Sequence, residues 1–217
     1  MRGIFVWLVV AVCVSGCMHG QHNLNTHYLD RFALPSPTPA HFTVCHGFNC
    51  VERTPVSLTP SQWRQVAAVF KPRAKTARQE RAQVARAVAM ISVMVGPQAG
   101  TNAHQWTHKY LLVLPNLGDL SQVDCVDASV NTWTYMTMME RDGLLSLHKV
   151  APLSYGGSLT DPDLRNTAVL KENDGGYFAV DASLVDYNEP PLVMPLDTWL
   201  GQWPPAPGKI ERVAMAG

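Results

Sequence analysis

An excess of charge of either sign is missing from this chain. Lys plus Arg and Asp plus Glu both number 17, and charged residues make up only 16%, so there is no basic stripe to recruit nucleic acid and no nucleic-acid partner is expected. Long apolar runs are missing too: the stretch from Ile4 to Val14 falls well short of the ~20 residues that a mature bilayer-spanning helix needs. Cysteine is scarce, at five residues, and no second cluster of ligands follows the one Cys-His pair at Cys45-His46. A metal centre is therefore the weaker reading there, and no cofactor is expected. At 217 residues and 47% hydrophobic, the chain can bury one ordinary core, and one domain is expected.

The first residues have the order of a secretory signal: Arg2 as the positive start, Ile4 to Val14 as the apolar run, then the small Ser15-Gly16. Val14-Ser15-Gly16-Cys17 resembles the lipobox of bacterial lipoproteins. That resemblance implies cleavage after residue 16, acylation of Cys17 by fatty acids such as palmitate, and a protein tethered in the cell envelope and facing the periplasm. Multiple acyl chains anchor firmly where one binds reversibly. A plain secretory signal with Cys17 as a spare thiol is the other reading. Met18 stands where an Asp usually retains such proteins at the inner membrane, which favours the outer membrane. Residues 17–40, ending in Pro35-Ser36-Pro37-Thr38-Pro39, read as an extended tether, with His19, His22 and His27 solvated in it. Residues 41–217 form the expected single domain.

Cys13 leaves with the signal and Cys17 takes lipid, so Cys45, Cys50 and Cys125 remain. Cys45-His46-Gly47-Phe48-Asn49-Cys50 is a turn that can close a local disulfide in an oxidising compartment, with a metal site through His46 as the alternative. Cys125 is then the odd thiol.

Phe42 to Leu58 reads as a strand or hairpin. Thr59, Pro60 and Gln62 supply N-cap, N1 and N3 of a helix with Trp63, Val66, Ala67 and Phe70 on its apolar face. Thr76 and Gln79 open a longer helix carrying Val84, Val88, Ile91 and Val95, which Gly96-Pro97 is expected to stop. The arginines at 73, 78, 81 and 86 read as its solvated face. Gln98 to Val123 reads as loop, with His104 and His108 in it. A helix follows from Cys125 to about Asp142, then a strand from Leu144 to Val150 bearing His148, a turn-rich insertion at Tyr155 to Ser158, and a hairpin of Thr167–Glu172 with Tyr177–Asp181. Trp199 and Trp203 are expected to pack back on the core.

Cys125 lies in the first helical turn, with Val126, Val130 and Trp133 spaced along one face. Unpaired N–H groups and the helix dipole favour a thiolate there. The plainer reading is a small buried hydrophobe. A helix-borne Cys followed by a strand pair with a carboxylate at its end is the order of the papain-like transglutaminase fold. More closely, Leu58 to Trp199 resembles an uncharacterised family of proteobacterial envelope lipoproteins that is similar to transglutaminase-like cysteine proteins. The matching pieces are Cys45 to Cys50, Thr59 to Trp63, Glu80-Arg81, Gly100-Thr101, Asp124-Cys125-Val126-Asp127, Asp142 to Leu145, His148, Thr167-Ala168-Val169 and Ala179-Val180-Asp181.

The resemblance implies an α+β fold with a papain-like, transglutaminase-like core: N-terminal helices, plus a Cys-bearing helix packed on a small antiparallel sheet. It implies Cys125 as nucleophile on an acyl group, a His as base and Asp181 as orienter. At the expected His position stands Arg165, which cannot act as a general base. His148 is the nearest replacement, or else a hydrogen-bonded structural His. Two functions follow. One is an envelope-anchored cysteine hydrolase or acyltransferase acting on an amide of a periplasmic protein or cell-wall peptide. The other is an inactive relative retained as a binding or scaffolding lipoprotein.

Overall fold

The computed structural model describes residues 23–102, 119–158, 161–201 and 207–213, with backbone alone at 158, 161–164 and 207. Cys17, His19, His22, His104, His108 and Trp203 lie outside the described residues. The described chain is mixed α+β, with four helices and a five-stranded antiparallel sheet. None of its helices is long and apolar enough to cross a membrane.

The sheet runs in the order β1 (Leu24–Asn25), β4 (His148–Ser158), β5 (Asp161–Glu172), β6 (Tyr177–Asp181), β7 (Leu192–Pro195). Alternation sorts its side chains onto two faces. Ala168, Leu170 and Val180 pack into the main core with α2 (Ala77–Ala99) and α3 (Cys125–Arg141), while Val169, Ala179 and Met194 pack behind the sheet with Trp199 of α4 (Leu196–Leu200). A separate two-stranded ribbon, β2 (Phe42–His46) with β3 (Glu52–Val56), carries the disulfide between Cys45 and Cys50 at its turn. That pairing displaces the metal alternative at His46, whose ring nitrogens are held by Leu120 O and Thr54 Oγ1.

The start of α1 (Pro60–Ala68) is the capping box read from the sequence: Thr59 accepts from Gln62 N, and the Gln62 side chain accepts from Thr59 N. The end of α2 differs from expectation. The helix runs through Gly96 and Pro97 to Ala99 and stops at Gly100 in the left-handed conformation. Proline 97 deprives the Val93 carbonyl of its helical donor. The Tyr187 hydroxyl fills the gap, donating to Val93 O at 3.0 Å. Gly96 makes room for that ring, because a Cβ there would sit 2.6 Å from Tyr187 Cε2.

Two further expectations change. The stretch at Tyr155 to Ser158 is not an insertion but the outer half of β4, paired Tyr155 with Asn166, Gly156 with Arg165 and Ser158 with Asp161. From residue 23 the chain is not an extended tether either: Leu24 and Asn25 pair with Ser154 and Leu153, and a 3-10 turn at Tyr28–Phe32 buries Phe32. Apolar burial outweighs the entropy of a free linker once a phenylalanine and an open sheet edge are within reach.

Arg81 also leaves the solvated face assigned to the arginines. It is buried, donates to Glu172 and, through Nε and Nη2, to both oxygens of Glu211, and stacks 3.6 Å from the Phe178 ring centre.

Candidate functional site

The start of α3 is built by carboxylates. Asp124 is the N-cap and accepts from Asp127 N, while Asp127 accepts back from Asp124 N in a reciprocal box. Both acids also reach the disulfide turn. Asp127 accepts from Phe48 N at 3.0 Å and Cys50 N at 2.6 Å, and Asp124 accepts from Asn49 N at 2.9 Å. One turn further along the helix, Asn131 grips Cys45 by its N–H and its carbonyl, at 2.7 and 2.8 Å.

These contacts stabilise an unusual backbone. Gly47, Phe48, Asn49 and Cys50 all have φ between 55° and 77°, a conformation costly for residues with a Cβ. The N–H groups of Phe48, Asn49 and Cys50 form a donor array of the kind that binds anions, and here the chain supplies the anions itself, while Gly47 N donates to Gln122 O. Arg31 closes the outside of the turn, donating to Asn49 Oδ1 and stacking 4.6 Å from the rings of Tyr28 and Phe32.

Cys125 follows directly after the N-cap. Asn166 Nδ2 donates to its Sγ at 3.7 Å. Burial, followed by the charge of Asp124, pushes the thiol up to about 11, against the hydrogen bonding of Asn166. The expected thiolate is therefore corrected to a neutral thiol, because burial of the sulfur and the Asp124 carboxylate oppose what the N–H groups and dipole favour. Burial, then Asp124, likewise pushes the buried Asp127 carboxyl up to about 7.

The expected partners of Cys125 do not converge on it. His148 pairs across from Glu172, whereas Cys125 meets Asn166. Those positions on β5 are roughly 20 Å apart at ~3.3 Å per residue. His148 Nδ1 lies 2.9 Å from Glu80 Oε1, and its Nε2 lies 3.7 Å from Glu172 Oε1. His148 is thus a structural histidine in a buried polar cluster, and its assignment as base is corrected. Glu80 also accepts from Ser146 N, Ser146 Oγ and Leu147 N. Burial alone would raise the Glu80 carboxyl, but these bonds and the one to His148 hold it at about 2.

Arg165 and Asp181 lie on one side of the sheet, away from Cys125, and both are joined to Trp199. Arg165, Thr167 and Val169 share one face of β5 with Ala179 and Asp181 of β6, whereas Asn166 and Ala168 share the other with Cys125. Asp181 accepts from Trp199 Nε1 at 2.7 Å and from Ser183 N and Oγ at 2.9 and 2.7 Å. Burial raises its carboxyl above the usual range, with the Ser183 and Trp199 bonds and the charge of Arg165 pulling the other way.

Arg165 Nη2 donates to Trp199 O at 2.9 Å, its guanidinium lying 4.9 Å from the Trp199 ring centre. Gly156 leaves it that path, since a Cβ there would stand 3.0 Å from Arg165 Nε. The pair fastens α4 to the back of the sheet. Asp181 as orienter of a base at Cys125 is corrected on the same ground: the sheet separates the acid from the sulfur.

A cavity of about 70 Å3 flanks α3 beside Val123, Asn131 and Thr132, without Cys125 in its wall. It is far below the roughly 300 Å3 at which small-molecule pockets begin. Among the described residues no group of three His, Cys, Asp or Glu side chains is placed to hold a metal.

Asp124, Asp127, Asn131 and Asn166 went unassigned in the sequence reading. An acid at N-cap with another three residues on is a capping signal that was present at Asp124 and Asp127. Asn166 stands one residue from the position read as the base, and one residue is the difference between the two faces of a strand. No family model, curated protein or solved structure matches this chain.

Proposed function

We propose that this chain is a lipoprotein of the bacterial cell envelope, anchored through acylated Cys17 and facing the periplasm. Its transglutaminase-like domain serves as a binding or scaffolding module and not as an acyltransferase. The reading of anchor and family rests on the Val14 to Cys17 motif and on the resemblance around Cys125. The choice of binding over catalysis rests on one observation: the sulfur faces the Asn166 amide, with Arg165 and Asp181 on the opposite side of the sheet. Acyl transfer needs a group that takes the thiol proton and returns it to the leaving group. Neither His148 nor Asp181, the expected base and orienter, is placed to do so.

The experiment is labelling of the full-length protein with an electrophilic thiol probe at pH 6. Cys125 is expected to stay unlabelled, while Asn166→His, which sets an imidazole beside the sulfur, is expected to gain label. Rapid labelling of wild-type Cys125 at pH 6, abolished by His104→Ala or His108→Ala, would return the enzyme reading. Incorporation of an alkyne-tagged palmitate that disappears in Cys17→Ala tests the anchor separately.

A further inference from the structure

Arg78 and Arg86 belong to the arginines expected on the solvated face of α2. Together with Ala82 they line one row of α2, and the C-terminal segment lays Glu211, Arg212 and Val213 against that row to form a groove of about 320 Å3. Both oxygens of Glu211 are engaged by Arg81. Among the described residues no carboxylate lies within ion-pair distance of Arg78, Arg86 or Arg212.

Three arginines, Arg78, Arg86 and Arg212, line the groove with one carboxylate, Glu211, which Arg81 already engages, and this leaves an excess of positive charge in a concavity. Guanidinium forks of this kind suit phosphate, which they bind bidentately.

Arg212 and Val213 also wall a second groove of about 720 Å3, completed by Val185, Pro190 and Leu192, with Glu189 beside them. Glu189 turns its carboxylate towards Asp186 N, at 3.3 Å. The two grooves share Arg212 and Val213, so a cationic end adjoins a trough in which Val185, Pro190, Leu192 and Val213 stand beside the polar Asn188 and Glu189.

The geometry points to a binding site for an anionic phospholipid: the headgroup phosphate among Arg78, Arg86 and Arg212, and the acyl chain along Val185, Pro190, Leu192 and Val213. The site uses neither Cys17 nor Cys125, so it stands apart from the reading of anchor and active-site relic. The charge fixes the head and the trough fixes the tail, which separates a lipid from a soluble phosphate.

The test places full-length protein with phosphatidylcholine vesicles doped with a photoreactive phosphatidylglycerol, and maps the adducts by mass spectrometry. Adducts are expected within residues 185–192 and at Val213. They should fall at least about tenfold in Arg78→Gln/Arg212→Gln, since each lost charge-assisted bond is worth roughly a factor of ten or more. Both residues are exposed, so that variant keeps its fold, and an unchanged circular dichroism melt verifies it.

Equal labelling by a photoreactive phosphatidylcholine, or unchanged labelling in the double variant, overturns the site. Loss of labelling on adding inorganic phosphate at the concentration of the lipid overturns the lipid assignment, because the head alone then suffices. Lipidation at Cys17 can fail its own test without altering any of these results.

Discussion

Asn131 holds Cys45 with both ends of its side-chain amide, Oδ1 accepting from Cys45 N at 2.7 Å and Nδ2 donating to Cys45 O at 2.8 Å. A helix side chain thereby completes the hydrogen bonding of a ribbon strand that, among the described residues, has no third strand beside it.

Replacing Asn131 by Ala leaves two buried backbone groups without partners. The expected loss is roughly 2 to 6 kcal/mol, since each of the two orphaned groups costs about 1 to 3 kcal/mol. Urea denaturation of the two proteins at pH 7 measures it. Asn131→Asp keeps the acceptor alone and should fall between them.

Cys125 is expected to alkylate slowly at neutral pH, with a rate that climbs about tenfold per pH unit, because the thiolate is the nucleophile. The climb should continue towards about 11. Its folded value lies above the ~8.5 of an unfolded cysteine. The neutral thiol therefore contributes stability in full below that unfolded value, and the contribution is lost as pH rises through about 11. Denaturation midpoints between pH 7 and pH 10 check the sign: Cys125→Ala should lack that part of the alkaline decline.

Glu80 gives the opposite case. Its folded value of about 2 lies below the ~4.3 of an unfolded glutamate, so its contribution is present above that value and is lost as pH falls towards 2. Glu80→Gln should cost about 3 kcal/mol at pH 7, the upper scale of a hydrogen bond to a charged group. It should also flatten the decline between pH 4 and pH 3, which urea titrations at those two values would record.

Gly96→Ala should destabilise by about 1 to 3 kcal/mol through overpacking against the Tyr187 ring. Part of that loss should return when Tyr187→Ala is added. A thermal-melt double-mutant cycle reads the coupling, and additive effects would show that the ring has another place to go.

Features set by neighbours in the chain were legible from the sequence. The capping box at Thr59 and Gln62, the disulfide closing at Gly47, and the hairpin turning at Asn173 to Gly176 all depend on residues a few positions apart. Features set by distant partners were not. Pro97 looks like a stop until Tyr187 supplies the missing hydrogen bond to Val93, and Glu80-Arg81 looks like helix surface until His148, Glu172 and Glu211 arrive from elsewhere.

The candidate site failed for a sharper reason. Cys125 and Asp181 were each placed in the element expected of them, on α3 and at the end of β6. What decides their chemistry is whether odd or even residues of β5 and β6 face the helix, and spacing along a strand does not reveal that.

The bend at Gly47 to Cys50 carries a further consequence. Three side-chain-bearing residues there hold a left-handed twist that the short covalent ring around them does not by itself prefer. Excised and oxidised as a free hexapeptide, Cys45 to Cys50 should lose that handedness in a circular dichroism spectrum. The shape belongs to the acids at the head of α3, so that any ligand of the loop would in effect be sensing the helix.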